Sequence, residues 1–181
     1  KVLTLVAIVS LFSCESKNQI TPLKQVAELP KELKEISGVA YSNNFIYSIE
    51  DSGNENQVTV LDTLGTITKK ITINNTENID WEDLTFDTKG NLYIGDFGNN
   101  DNVRKDLTIY KIDQSNLQGE NANVAYAISF DYPEQMEFPP KKKELLFDVE
   151  AFFEYHNYFY LFTKNRSNHF DGTSYIYKIP N

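Results

Sequence analysis

Three stretches of the chain repeat one pattern, and self-similarity at this spacing leaves few folds open. The first copy has short runs at 35–41, 45–51 and 58–62. The second has them at 80–86, 91–96 and 107–112, and the third at 148–153, 158–164 and 175–179. Asn43-Asn44, Lys89-Gly90-Asn91 and His156-Asn157 separate the first two runs of each copy, which is the chemistry a tight hairpin requires. The runs are rich in Ile, Val, Tyr and Phe and read as strands. A fourth run closes two of the copies, at 66–73 and 124–130. Four antiparallel strands per unit define a propeller blade. The fold class expected is therefore all-β: a partial β-propeller of about three four-stranded antiparallel blades, near 35–73, 80–130 and 145–179, within a domain over 25–181.

The copies start 45 residues apart at Glu35 and Asp80, but 68 apart at Asp80 and Asp148. The excess falls in a polar loop at 113–123 and in the stretch 132–143. The latter carries Pro133, Pro139-Pro140 and Lys141-Lys142-Lys143 and reads as a solvated loop. Three blades do not close a ring. The third copy stops at Pro180-Asn181 with no fourth strand, so the expectation is a piece of a longer propeller, a pairing with another chain, or an open stack.

The segment before the repeat reads as an address. Lys1 precedes an apolar run over 2–12 that is too short to span a bilayer as a helix and has the length of a signal-peptide core. Leu11-Phe12-Ser13-Cys14 resembles a bacterial lipobox. The resemblance implies a signal peptide over 1–13, a lipidated Cys14 as the membrane partner, a tether over 14–24 and attachment in the bacterial cell envelope. Cys14 is the only cysteine, which leaves no thiol for a disulfide or a thiolate nucleophile. The full chain holds 17 basic against 26 acidic side chains, a net charge of -9. That sign excludes a nucleic-acid partner.

Ile36-Ser37-Gly38-Val39-Ala40-Tyr41, followed by Asp51, resembles the SdiA-regulated family of bacterial propellers and, more distantly, the six-bladed gluconolactonase and regucalcin superfamily. Asp80-Trp81-Glu82-Asp83 and Tyr93-Ile94-Gly95-Asp96-Phe97-Gly98-Asn99-Asn100 carry the same likeness. The resemblance runs from about 35 to 179 and implies a six-bladed ring with a divalent metal in its channel. The blade-one position that carries a glutamate in that family holds Ser37 here.

Candidate chemistry lies where the innermost strands begin. Asp80, Glu82, Asp148 and Glu150 stand at the starts of successive blades, which converge on a propeller's channel. An all-oxygen set of this kind suits Ca2+ or Mg2+. The alternative is that Glu82 and Glu150 accept backbone amides of the neighbouring blade. Asp51, Asp96 and Arg104 form a second set at the ends of the second runs, read as ligand contacts or as turn and clamp residues. The loops after Glu50 and Gly95 fail the EF-hand spacing. No nucleophile elbow, phosphate-cradling glycine loop or zinc-protease motif occurs. His156 and His169 fall in a turn and a polar loop. The aromatic runs at 152–155 and 158–162 are expected to pack between blades. Two functions remain open: a binding module for a small molecule, glycan or protein, or a metal-dependent lactonase or esterase-type hydrolase.

Overall fold

The computed structural model describes residues 21–181, so the expected leader and Cys14 lie outside the described residues. Residues 21–30 form no regular element. Blade one contains β1 (Ile36–Ser42), β2 (Phe45–Glu50), β3 (Gln57–Leu61) and β4 (Ile67–Asn74). Blade two contains β5 (Trp81–Phe86), β6 (Leu92–Asp96) and β7 (Thr108–Ile112). The short β8 (Asn121–Asn123) comes next, and β9 (Tyr126–Ser129) completes the second blade. Blade three contains β10 (Val149–Glu154), β11 (Tyr158–Thr163) and β12 (Ile176–Pro180). The strand orders are β1-β2-β3-β4-β8, β5-β6-β7-β9 and β10-β11-β12. The fold is all-β, a partial β-propeller.

The hairpins form as the turn residues dictate. Asn43 and Asn44 take φ of 49 and 66°, and His156 and Asn157 take 52 and 61°. These left-handed pairs match the twist of the flanking strands. At 62–66 the Asp62 carboxylate accepts the amides of Leu64 and Thr66 at 2.9 and 2.8 Å.

The stretch 113–123 departs from the polar loop expected of it. Gln114–Gln118 forms a 3-10 turn, and β8 then runs parallel to β4 as a fifth strand of blade one. The driving force is local burial: Leu117 and Ala122 are sequestered, and Lys69 Nζ donates to the Leu117 carbonyl at 2.5 Å. Two apolar residues among the eleven of this stretch are too faint a periodicity to read in advance.

Two cores hold the blades together. Tyr47, Ile49, Val58, Val60, Ile71 and Ile73 of blade one meet Trp81, Leu84, Leu92, Ile94 and Ile112 of blade two. Tyr93, Phe97, Leu107 and Ile109 of blade two then meet Val149, Phe152, Phe159 and Leu161 of blade three. Each interface centres on an edge-to-face aromatic pair at 4.9 Å, Tyr47–Phe86 in the first and Tyr93–Phe159 in the second. Polar ties add to the packing. Asp83 accepts the Phe152 amide at 2.9 Å, so the blade-to-blade carboxylate role falls to Asp83 rather than to Glu82.

Gly95 is required by close approach. A Cβ there would lie 2.0 and 2.2 Å from ring atoms of Phe97, a fully buried side chain. Gly95→Ala is expected to lower the unfolding free energy by about 1–3 kcal/mol through overpacking. Denaturant titration checks this; an unchanged midpoint would mean that the Phe97 ring has room to retreat.

The aromatic runs of blade three bury one face only. Phe152, Phe159 and Leu161 are buried, whereas Phe153, Tyr155 and Tyr158 are exposed. The expectation of two covered faces fails because only one neighbouring blade is present among the described residues.

Candidate functional site

Every innermost strand carries the same irregularity. The register shifts between Ile36 and Gly38 in β1, between Trp81 and Asp83 in β5, and between Val149 and Ala151 in β10. A bulge of this kind re-aims the extra side chain and ends regular pairing. The bulged residues are Ser37, Glu82 and Glu150. The repeat thus delivers two glutamates and one serine to equivalent places, and Ser37 Oγ donates to the Trp81 carbonyl at 2.7 Å.

Carboxylates from the three blades converge around Glu82. One oxygen from each of Asp51, Asp80 and Glu82 lies within 4.8 Å of the others, and the same holds for Glu82, Asp148 and Glu150. Glu82 belongs to both groups. Asp80 and Glu82 are half-buried, Asp51 is exposed and Asp148 is fully buried. The loop after β6 passes directly over them. A Cβ at Gly98 would come within 2.3 to 2.4 Å of the Asp80 and Glu82 carboxylates, so glycine is what allows backbone to lie against the acids.

The two groups differ in charge balance. Arg166 Nε donates to Asp148 at 2.5 Å, and Arg166 also pairs with Glu150. Lys164 stands 3.4 Å from Glu150. The other Asp148 oxygen accepts the Asn99 amide at 2.8 Å. The Asp51, Asp80 and Glu82 group has no ion-pair partner among the described residues.

The acids register this crowding. Burial, and then the Asp80, Glu150, Asp51 and Asp148 charges, push Glu82 up to about 8. Burial and the adjacent Asp51 carboxylate push Asp80 up to about 6, against the pull of Arg104. Burial outweighs Arg166 at Asp148 and leaves it raised. These shifts are unfavourable to the charged forms.

A raised carboxyl stabilises the fold at low pH and loses that contribution as pH climbs through its folded value. In chelator-containing buffer, the Asp80 contribution is expected to fall between pH 3.8 and about 6, and the Glu82 contribution between pH 4.5 and about 8. Thermal melts across that range check this, with Glu82→Gln expected to remove much of the slope. A parent and a variant with the same slope would contradict the assignment.

Asp96 and Arg104 lie apart from the triads as a clamp. Arg104 Nη2 donates to Asp96 Oδ1 at 2.9 Å, Nε to Asp106 at 3.0 Å and Nη1 to the Gly98 carbonyl at 3.0 Å. Asp96 is fully buried and also accepts the Asp80 amide at 3.1 Å. Arg104 therefore braces the loop that lies over the acids. Sequence reasoning placed Asp51 with Asp96 and Arg104 rather than with Asp80. It passed over Gly98, which directly follows the core residue Phe97 where the chain leaves β6.

No family model matches the sequence, and no curated protein does. Among solved structures, the chain is similar to the Dos1 propeller at 16% identity and a TM-score of 0.42, over 78% of this chain and 32% of that one. It is similar to an α-L-arabinofuranosidase of Clostridium thermocellum at 18% identity and a TM-score of 0.45, over 80% and 45%. It is also similar to the native arabinanase Arb43A of Bacillus subtilis at 17% identity and a TM-score of 0.39, over 77% and 48%. The chain spans between a third and a half of the length of these proteins.

Proposed function

We propose that the chain is an envelope-anchored propeller module that binds one divalent cation, calcium or magnesium, through Asp51, Asp80 and Glu82, and engages a small molecule, glycan or protein over that acidic mouth. The observation that carries this reading is the convergence of carboxylates from successive blades with no basic side chain paired to that group among the described residues. Three acids held close together without a counter-charge repel one another, and a hard cation with oxygen ligands relieves the repulsion. Asp148 and Glu150 support it from the neighbouring blade, their charges balanced by Arg166 and Lys164. The lipobox likeness around Cys14 is what supports membrane attachment and an envelope address.

The second reading is a metal-dependent lactonase or esterase-type hydrolase, in which the carboxylates gathered around Glu82 would hold the cation or act as base. Calorimetric titration of calcium and then magnesium into the chain tests the proposal. Saturable binding with a stoichiometry of one supports it, and no heat at millimolar metal overturns it. Hydrolysis of lactones or esters by the loaded protein, lost in Glu82→Gln, would favour the enzyme.

A further inference from the structure

We propose that the crossover from blade two to blade three holds a binding site for an α-amino acid with an apolar side chain. The crossover begins in the stretch that delays the third copy of the repeat, and its first half is anchored rather than solvated. Tyr132 and Gln135 are 4 and 6% exposed, and the Gln135 backbone amide donates to the Tyr132 carbonyl at 3.0 Å to close a turn between them. The turn borders a cavity of about 270 Å³. Its apolar wall is Leu107, just ahead of β7, Phe130, just past β9, and Tyr132 and Phe138 of the crossover. Every residue of the wall lies between β6 and β10. The site is thus internal to the array, with a described blade on either side of blade two.

Three polar groups on the wall are left for a ligand. The Gln135 side-chain nitrogen donates to the carbonyls of Asn102 at 2.7 Å and Glu137 at 3.4 Å. Two carbonyl partners fix that end of the amide as the NH2 group, so its oxygen is the end left for the cavity, and no donor among the described residues reaches it. A largely buried acceptor that meets no protein donor is one that a ligand N–H satisfies. Lys105 has no carboxylate partner among the described residues, and its ammonium lies 4.5 Å over the Phe138 ring, which holds the charge at the wall. Asp131 lines the same cavity and forms neither an ion pair nor a side-chain hydrogen bond among the described residues. Arg104 borders the cavity too, but its guanidinium is committed to Asp96, Asp106 and the Gly98 carbonyl. The wall therefore offers one free cation, one free anion and one amide acceptor around an apolar interior. A zwitterionic amino acid answers all of them, with its carboxylate on Lys105, its ammonium on Asp131 and Gln135, and its side chain against Leu107 and Phe130. The volume lies below the roughly 300–1,000 Å³ of sites for larger ligands, so a free amino acid fits where an oligosaccharide does not. The site shares no residue with Asp51, Asp80 and Glu82 and does not rest on the cation.

Calorimetric titration of L-phenylalanine and of L-leucine into the full chain tests this. Each is run beside the amine that lacks its carboxylate, phenethylamine or isopentylamine, and the acid that lacks its amine, phenylpropionate or isocaproate. The expected result is saturable binding of at least one of the two amino acids at one per chain, weakened at least about tenfold in Lys105→Met and in Asp131→Asn, since each change removes one charged hydrogen-bond partner. The matching amine and acid should bind at least about tenfold more weakly than the amino acid, for the same reason. Lys105 and Asp131 are both exposed, so circular dichroism and melting should be unchanged in the variants, and lost binding is then not lost fold. No saturable heat from either amino acid at millimolar concentration, variants that bind as the parent does, or a one-charge probe that binds as tightly as its amino acid overturns the inference.

Discussion

Replacing Arg104 by Met is expected to lower the unfolding free energy by about 3–5 kcal/mol at neutral pH, among the largest losses a single substitution in this chain should produce. The guanidinium reaches Asp96, Asp106 and the Gly98 carbonyl together. Asp96 has no exposure to water, and its second oxygen has no hydrogen-bond partner. Burial already pushes the Asp96 carboxyl up despite the arginine. Without Arg104, the buried Asp96 charge keeps only the Asp80 amide and has no counter-charge, which is more costly than losing the attraction itself. Two further outcomes follow from the same cause. The loss should shrink as pH falls and Asp96 takes up a proton, and Arg104→Met combined with Asp96→Asn should recover much of it, as coupled neighbours do. Denaturant titration of the two single variants and the double variant checks both; additive losses would show that Arg104 acts through something other than Asp96.

Glu82→Gln is expected to weaken cation binding by about 100-fold or more while leaving the fold intact. Calcium affinity follows the number and charge of its carboxylate ligands, and Glu82 is the one acid common to both triads. The amide keeps the shape and removes the charge that burial and four acidic neighbours oppose. Cation-free stability near pH 8 should therefore rise in the variant as affinity falls. That opposite movement separates a ligand from a structural residue, since loss of a structural residue lowers both. Calorimetry and melting of the same sample supply the two readings.

The repeat made the blades legible because period-two apolar runs and Asn-rich turns act locally. Asn43-Asn44 and His156-Asn157 specify their hairpins with no help from tertiary contacts. β8 was hidden because its partner, β4, lies far back along the chain and only Leu117 and Ala122 anchor it. At the site, the repeat put Glu82 and Glu150 on one list, since both occupy the bulge position. It gave no sign that Asp51 would meet Asp80 across blades, or that Arg166 would balance the charge of Asp148 and Glu150. The first is fixed by how blades one and two pack; the second lies within blade three, where the loop after β11 returns Arg166 to the start of β10. The exposed aromatic face of blade three was misjudged for a related reason. A run such as Tyr158-Phe159-Tyr160-Leu161-Phe162 shows that a strand has two apolar faces, but not whether a neighbour covers each.

Luminescence of bound terbium, a calcium surrogate, tests the central claim most directly. Trp81 is the only tryptophan, is fully buried and adjoins Glu82 in β5, so excitation at the red edge of the tryptophan band sensitises only an ion held close to that strand. A cation at Asp51, Asp80 and Glu82 predicts saturable emission at one ion per chain, displaced by calcium and absent in Glu82→Gln. Emission that never appears, or that persists in Glu82→Gln, would contradict a cation at the acidic mouth.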